Sequence, residues 1–200
     1  MIRALIFDFG RVISAQKPPE LFLSYERELG IRPGTINTTM FESQAWQDAL
    51  LGRKTIDEFW LAIGPELGLK TPGSISAFQR RYHADEAINE GVATIIRRLQ
   101  GEYKLGVLSN SPPGLPQWLA EWSILDLFDV IFCSGEEGIV KPDPAAFHVT
   151  LERLGVKPHE AVFIDDTTTH VEAARALGIR GIHFTVAELL AKELEEALAS

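Results

Sequence analysis

The sequence predicts an α/β protein: a parallel, Rossmann-like sheet with an all-helical block inserted after its first strand. The run Ala4-Leu5-Ile6-Phe7 is apolar at every position, as a strand buried on both faces must be. From Gly91 onward, short apolar runs alternate with segments of helical period, the pattern of parallel strands joined by right-handed crossovers. Between these regions, about seventy residues keep a helical period and contain no strand pattern.

In chain order, Val12-Ile13-Ser14 ends the first strand region, and Leu21, Leu23, Tyr25 and Leu29 place a first helix that Gly30 stops. A second helix covers residues 38–51 and ends at Gly52. Thr55 and Glu58 form a capping-box pattern that opens a third, carried through Leu67. A fourth spans 75–82, and clusters of Gly, Pro and Thr (Pro33-Gly34-Thr35, Pro72-Gly73) punctuate the block. The sheet region then reads as helix 92–99, strand 105–108, helix 115–122, strand 130–133 and a glycine-containing loop 134–143. Helix 144–154, strand 161–164, helix 170–177, strand 181–184 and helix 188–199 complete it. The expected domains are therefore an α/β core of residues 1–14 and 91–200 and a helical cap of residues 15–90.

Composition narrows the classes. A 200-residue chain with 46% hydrophobic residues can bury a substantial core. A net charge of -9 argues against nucleic acid or an anionic membrane as partner. The single cysteine, Cys133, excludes an internal disulfide and fits a reducing compartment; its apolar neighbours Val130-Ile131-Phe132 mark it as a buried structural thiol. No apolar stretch approaches membrane-spanning length and no signal-peptide pattern opens the chain, so a soluble, cytoplasmic protein is expected.

Chemistry collects where the strands end. Asp8, Ser109-Asn110 and Asp165-Asp166 each follow an apolar run, and Lys141 lies on the loop after another. In a parallel sheet these points share one edge, where open α/β folds bind ligands. Turn and helix-cap duties explain each residue singly but not their common edge. Carboxylates gathered there repel unless a cation sits among them, and hard oxygen ligands suit Mg²⁺ shared with a phosphate. Ser109 supplies a hydrogen-bond donor and Lys141 a point charge for that phosphate. The residue types describe phosphoryl transfer to or from a small phosphorylated molecule.

Four segments occur in order: Phe7-Asp8-Phe9-Gly10-Arg11-Val12, Leu108-Ser109-Asn110, Lys141-Pro142-Asp143-Pro144 and Phe163-Ile164-Asp165-Asp166. With His170-Val171-Glu172-Ala173-Ala174 and Gly178-Ile179 after them, the chain resembles the haloacid dehalogenase-like superfamily of hydrolases, and the helical block resembles the cap many members carry. The resemblance implies that Asp8 is a nucleophile that forms an aspartyl-phosphate. It implies Mg²⁺ held by Asp8, Asp166 and the Gly10 carbonyl, with Asp165 close by. Ser109, Asn110 and Lys141 would contact the transferring phosphoryl group, Lys141 also neutralising Asp8, and Arg11 would join the substrate-binding set.

Gly10 departs from the pattern. Most phosphatases of the family carry a second aspartate there as general acid and base, help worth roughly 10²–10⁴-fold. A phosphomonoesterase is expected, possessing its acid elsewhere or acting on esters with good leaving groups, a sugar phosphate among the candidates. The alternatives are a haloacid dehalogenase, a sugar phosphomutase, or a weakly active or non-catalytic phosphate-binding member. Asp165-Asp166 weigh against the dehalogenase, because metal-free carboxylates repel its anionic substrate and product. His170 reads either as a titrating acid beside the metal or as a first-turn helix residue packed on a neighbour. Trp46, Trp60, Trp118 and Trp122 read as packing residues, with Trp46 placed in the cap within reach of a substrate. Neither the substrate nor the oligomeric state is assigned by the sequence.

Overall fold

The structure is a computed structural model and describes residues 1–199. Strands β1 (Ala4–Phe7), β2 (Lys104–Ser109), β3 (Val130–Cys133), β4 (Ala161–Asp165) and β5 (Arg180–His183) form one sheet in the order β3-β2-β1-β4-β5. Every pairing is parallel. The central strand is β1: Leu5 pairs with Leu105 on one side and Val162 on the other, and all four of its residues are fully buried. That is why its sequence shows no polar alternation.

The period-2 rule assigns its side chains to two cores. Leu5 and Phe7 face one cluster, with helices α6 (Glu90–Leu99), α7 (Leu115–Glu121) and α11 (Ala187–Leu198) contributing Ile96, Leu119 and Leu194. Ala4 and Ile6 face the other, against Phe147 of α9 (Pro144–Leu154) and Ala174 of α10 (Thr168–Ala176). Cys133 is fully buried among these layers, as the sequence predicts. Among the described residues, no helix is long and apolar enough to cross a membrane.

Helices α1 (Pro19–Leu29), α2 (Thr35–Phe41), α3 (Gln44–Leu50), α4 (Ile56–Ile63) and α5 (Pro72–Ala84) follow β1 and pack on a third core built around Tyr25, Phe59, Trp60 and Phe78. The helix expected over 38–51 is two helices. Ser43 breaks it, because its hydroxyl accepts the Trp46 N–H and caps α3 instead of continuing α2. The third helix ends at Ile63 rather than Leu67: Gly64 still has a helical backbone and bonds the Trp60 carbonyl, but Pro65 has no N–H to continue the ladder. Its capping box is present, with Thr55 and Glu58 each bonded to the other's backbone N–H. The fourth helix is longer than expected and starts at Pro72, which needs no N–H there. Two core segments also differ. Residues 9–13 form a tight turn rather than a strand extension, with Arg11 at φ 59. The loop expected at 134–143 opens with the short helix α8 (Ser134–Glu137). Other boundaries differ by a residue or two, as element ends do.

The helical block joins the sheet through two linkers that run side by side. Ser14 bridges Ile88 antiparallel, the Ala15 N–H donates to the Ala87 carbonyl, and the Asn89 N–H donates to the Ile13 carbonyl. A second contact lies far along the block, at Gly52. Its φ of +70 is left-handed, and a Cβ there would sit 2.2 Å from the Gly135 carbonyl oxygen. Backbone meets backbone at that point, which only glycine permits. Gly52→Ala should therefore cost roughly 1–3 kcal/mol from backbone strain alone, before the clash is relieved. Denaturant unfolding of the variant tests this; an unchanged midpoint would show that the approach is not required.

Candidate active site

The strand order decides what the loops can build. The chain leaves β1 toward β2 and β3, then returns to place β4 on the other side of β1. The carboxyl ends of β1 and β4 thus flank the switch point where open α/β sheets leave a crevice. Asp8 directly follows β1, its N–H bonded to the Ile164 carbonyl at 2.8 Å; Asp165 ends β4 and Asp166 follows it. Ser109 ends β2 on the neighbouring side.

Lys141 ties these ends together. Its Nζ lies 2.9 Å from Asp8 Oδ1 and 2.6 Å from Asp165 Oδ2, and all three residues are buried. Burial alone would lower the Lys141 ammonium, but the two carboxylates outweigh it and hold its pKa above the ordinary lysine value. Burial, helped by Asp165 and Asp166, pushes the Asp8 carboxyl up to about 6 despite Lys141. For Asp165 the balance is reversed. Burial would raise it, but the hydrogen bond with His170 and the Lys141 charge hold it below the usual carboxylate range.

Each carboxylate is fixed differently. Asp8 Oδ1 also accepts the Phe9 N–H at 2.7 Å, so both anchors fall on one oxygen, and Oδ2 has no hydrogen-bond donor among the described residues. Asp165 is saturated: Oδ1 accepts the Thr167 N–H at 2.7 Å, and Oδ2 meets Lys141 and, at 3.1 Å, His170 Nδ1. Asp166 is looser, with the exposed Arg11 guanidinium 3.4 Å from Oδ2. Asn110 spends both ends of its amide on Lys141, accepting its N–H at 2.7 Å and donating to its carbonyl at 2.9 Å. It clamps the segment that carries the lysine. His170 packs against Asp165 rather than lining the cavity described below.

The donor set fits a hard divalent cation. Asp8, Asp165 and Asp166 each offer a carboxylate oxygen within 4.8 Å of the others'. All three are oxygen donors at a partly open edge, as Mg²⁺ prefers. The free Oδ2 of Asp8 and the looser Asp166 are the better placed, while Asp165 is already committed to Lys141, His170 and Thr167.

A cavity of about 460 Å³ lies between the helical block and this edge, reaching Gly10, Arg11, Ser109 and Asn110. Trp46 lines it, as its position in the block predicts, and so do Trp60 and Trp118. Trp118 was not legible as a lining residue, because a tryptophan on a short helix carries no sign of which space it borders. Lys17 also reaches the cavity from the linker, paired with Glu86 at 2.7 Å. It was invisible in sequence because its partner is contributed by the other linker.

Residues 39–178, more than half of the chain, match the haloacid dehalogenase-like hydrolase family. The chain belongs to that family of hydrolases. Over 97% of its length it is 29% identical to 95% of a sesquiterpene phosphatase of Aspergillus oryzae. It spans 37% of a drimenol cyclase of Aspergillus calidoustus, at 27% identity over the whole of this chain. A HAD-like family hydrolase from Porphyromonas gingivalis superposes with a TM-score of 0.78 at 25% identity, covering 100% of this chain and 99% of its own. A HAD family enzyme of Bacteroides thetaiotaomicron, solved with magnesium and inorganic phosphate, shares the fold at TM-score 0.75 and 21% identity, over 93% and 96% of the two chains.

Removing one partner of a buried ion pair leaves an uncompensated charge, at a cost of about 3–5 kcal/mol. Lys141→Met should lose that much stability in EDTA, since Asp8 and Asp165 then face each other without a cation. Saturating Mg²⁺ should restore part of it. Urea unfolding with and without the metal measures both; equal stability to the parent in EDTA would show that Lys141 does not neutralise the pair.

Proposed function

We propose that this hydrolase is a Mg²⁺-dependent phosphomonoesterase that uses Asp8 as nucleophile, with the 15–90 block acting as a cap over the substrate. The observation that carries this reading is the Asp8 carboxylate at the sheet's switch point. One of its oxygens is anchored by Phe9 and Lys141, while the other is left without a donor near Asp166, and the cavity begins at the adjoining Phe9 and Gly10. The Aspergillus oryzae relative's name supports a phosphate ester as substrate.

In this reading the phosphoryl group enters near Ser109, whose hydroxyl donates to it, while the Lys141 charge lets one anion approach another. The Asp8 carboxylate attacks phosphorus, the phosphorus–alcohol oxygen bond breaks, and the oxygen leaves with its electron pair. Water then hydrolyses the acyl phosphate and regenerates the carboxylate. Asp8, Asp166 and the Gly10 carbonyl would hold Mg²⁺, which when bound would neutralise charge on the phosphoryl oxygens. Asp165 and His170 hold Lys141 in position, and Asn110 holds its backbone. Arg11, over the Asp166 carboxylate, borders the cavity and contacts the incoming phosphate. The haloacid alternative is disfavoured by the three carboxylates crowded at the site, which repel a carboxylate substrate.

Gly10 leaves the leaving oxygen without the usual acid. Its backbone is ordinary for any L-residue (φ -63, ψ 125), and an ideal Cβ there meets nothing within 4 Å. A β-carbon at position 10 therefore meets no steric obstacle. An aryl phosphate, whose leaving group needs little protonation, should therefore be hydrolysed with Mg²⁺ and not in EDTA. Asp8→Asn should lower kcat by roughly 10³-fold or more; retention of aryl phosphatase activity by that variant would sink the nucleophile assignment. Gly10→Asp should fold normally and raise turnover of alkyl phosphates over aryl phosphates, by up to about 10²-fold. An unchanged alkyl-to-aryl ratio would show that the acid is already supplied by another group.

A further inference from the structure

Resting on the phosphatase reading above, we propose that the alcohol esterified to the phosphate is bulky and apolar, a hydrocarbon or aryl body rather than a sugar. The cavity's volume of about 460 Å³ is that of a site for a small organic molecule. Its floor is the polar end, at Gly10, Ser109 and Asn110. Its walls are Phe22, Met40, Trp46, Phe59 and Trp60 from the helical block and Trp118 from the core.

A sugar needs several free donors and acceptors converging on its hydroxyls, because each polar group buried without a partner is costly. The charged groups on these walls are engaged elsewhere. Glu26 accepts the Ile36 N–H at 3.0 Å. Lys17 pairs with Glu86 at 2.7 Å and lies 4.3 Å above the Tyr82 ring. His83 is packed edge-on against Trp118, with ring centroids 5.1 Å apart, and burial lowers its pKa, which favours the neutral ring. Ser14 accepts the Arg11 N–H and Ser111 pairs with Cys133, so the uncharged polar groups that remain along the wall are Asn37, Gln16, the Tyr82 hydroxyl and the Trp60 indole N–H, few beside the apolar and aromatic surface around them. Two large apolar residues at the cavity, Leu23 and Phe41, are 43% and 37% exposed. An apolar substrate body covers such a surface, and a polyol does not.

The arrangement divides the substrate into a phosphate end, held by charge, and a hydrocarbon end, held by area. The second contribution grows with each carbon buried. Against a series of n-alkyl phosphates from ethyl to decyl, kcat/KM should rise by about fourfold per added methylene until the cavity is full. Glucose 6-phosphate and glycerol 3-phosphate should fall at or below the ethyl end. Met40→Gln and Trp46→Gln, which place amides on the wall, should each reduce the decyl-to-ethyl ratio by about tenfold or more. That ratio is taken within each variant, so a loss of folded protein does not affect it. Binding of the same alkyl phosphates to Asp8→Asn protein, followed by tryptophan fluorescence, separates the two possible failures. Turnover that is flat with chain length, or highest for the sugar phosphate, overturns the apolar substrate and leaves the phosphatase standing. Affinity that rises with chain length while no ester is turned over overturns the phosphatase and keeps the apolar site. Chain-length-independent binding without turnover overturns both.

Discussion

The ammonium of Lys141 is the contact on which the site's geometry depends. Two carboxylates on adjacent strands, Asp8 after β1 and Asp165 at the end of β4, are buried close together at the sheet edge. Without a cation between them, that placement would be opposed by both repulsion and desolvation. Lys141 reaches each within 3 Å and is carried there by a segment that Asn110 clamps at both its N–H and its carbonyl. His170 and the Thr167 N–H then fix Asp165 from behind, so that its hydrogen-bonding capacity is used in holding the lysine. The result is a division of labour among similar residues. Asp165 serves structure, whereas Asp8 keeps one oxygen without a donor and Asp166 is held only by the longer contacts from Arg11 and Thr167.

The same economy of position applies to the helical block. Its core of Tyr25, Phe59, Trp60 and Phe78 is separate from both sheet cores, and its covalent links to the sheet are two short paired linkers. Elsewhere His83 packs on Trp118 of the core, and Gly52 and Gly135 bring two backbones together without side chains between them. In the proposed reading, an element held in this way, with an aromatic-lined cavity between it and the sheet edge, selects a substrate through its walls while the chemistry stays on the sheet. Gly10 lies where those two functions meet. It borders the cavity, and a β-carbon there would meet nothing within 4 Å.

Much of this was legible in the residues themselves. The five strands, the helical insertion and the shared edge of Asp8, Ser109 and Asp165-Asp166 follow from apolar runs ending in polar residues, because parallel strands all point the same way. Local capping chemistry was legible where both partners are close in sequence, as at Thr55 and Glu58, and misread where one serine outweighed a helical period, as at Ser43. Tertiary structure alone decided the rest. That β4 lies beside β1, that Asn110 serves the Lys141 backbone, that Lys17 meets Glu86 and that Trp118 borders the cavity are each contacts between residues 31 or more positions apart or choices of strand order. Sequence determined which chemistry the chain carries, because side-chain type and strand direction are local properties. Which carboxylate holds the lysine, which oxygen stays free, and what kind of surface surrounds the substrate were decided by packing, because distances between remote segments exist only in the fold.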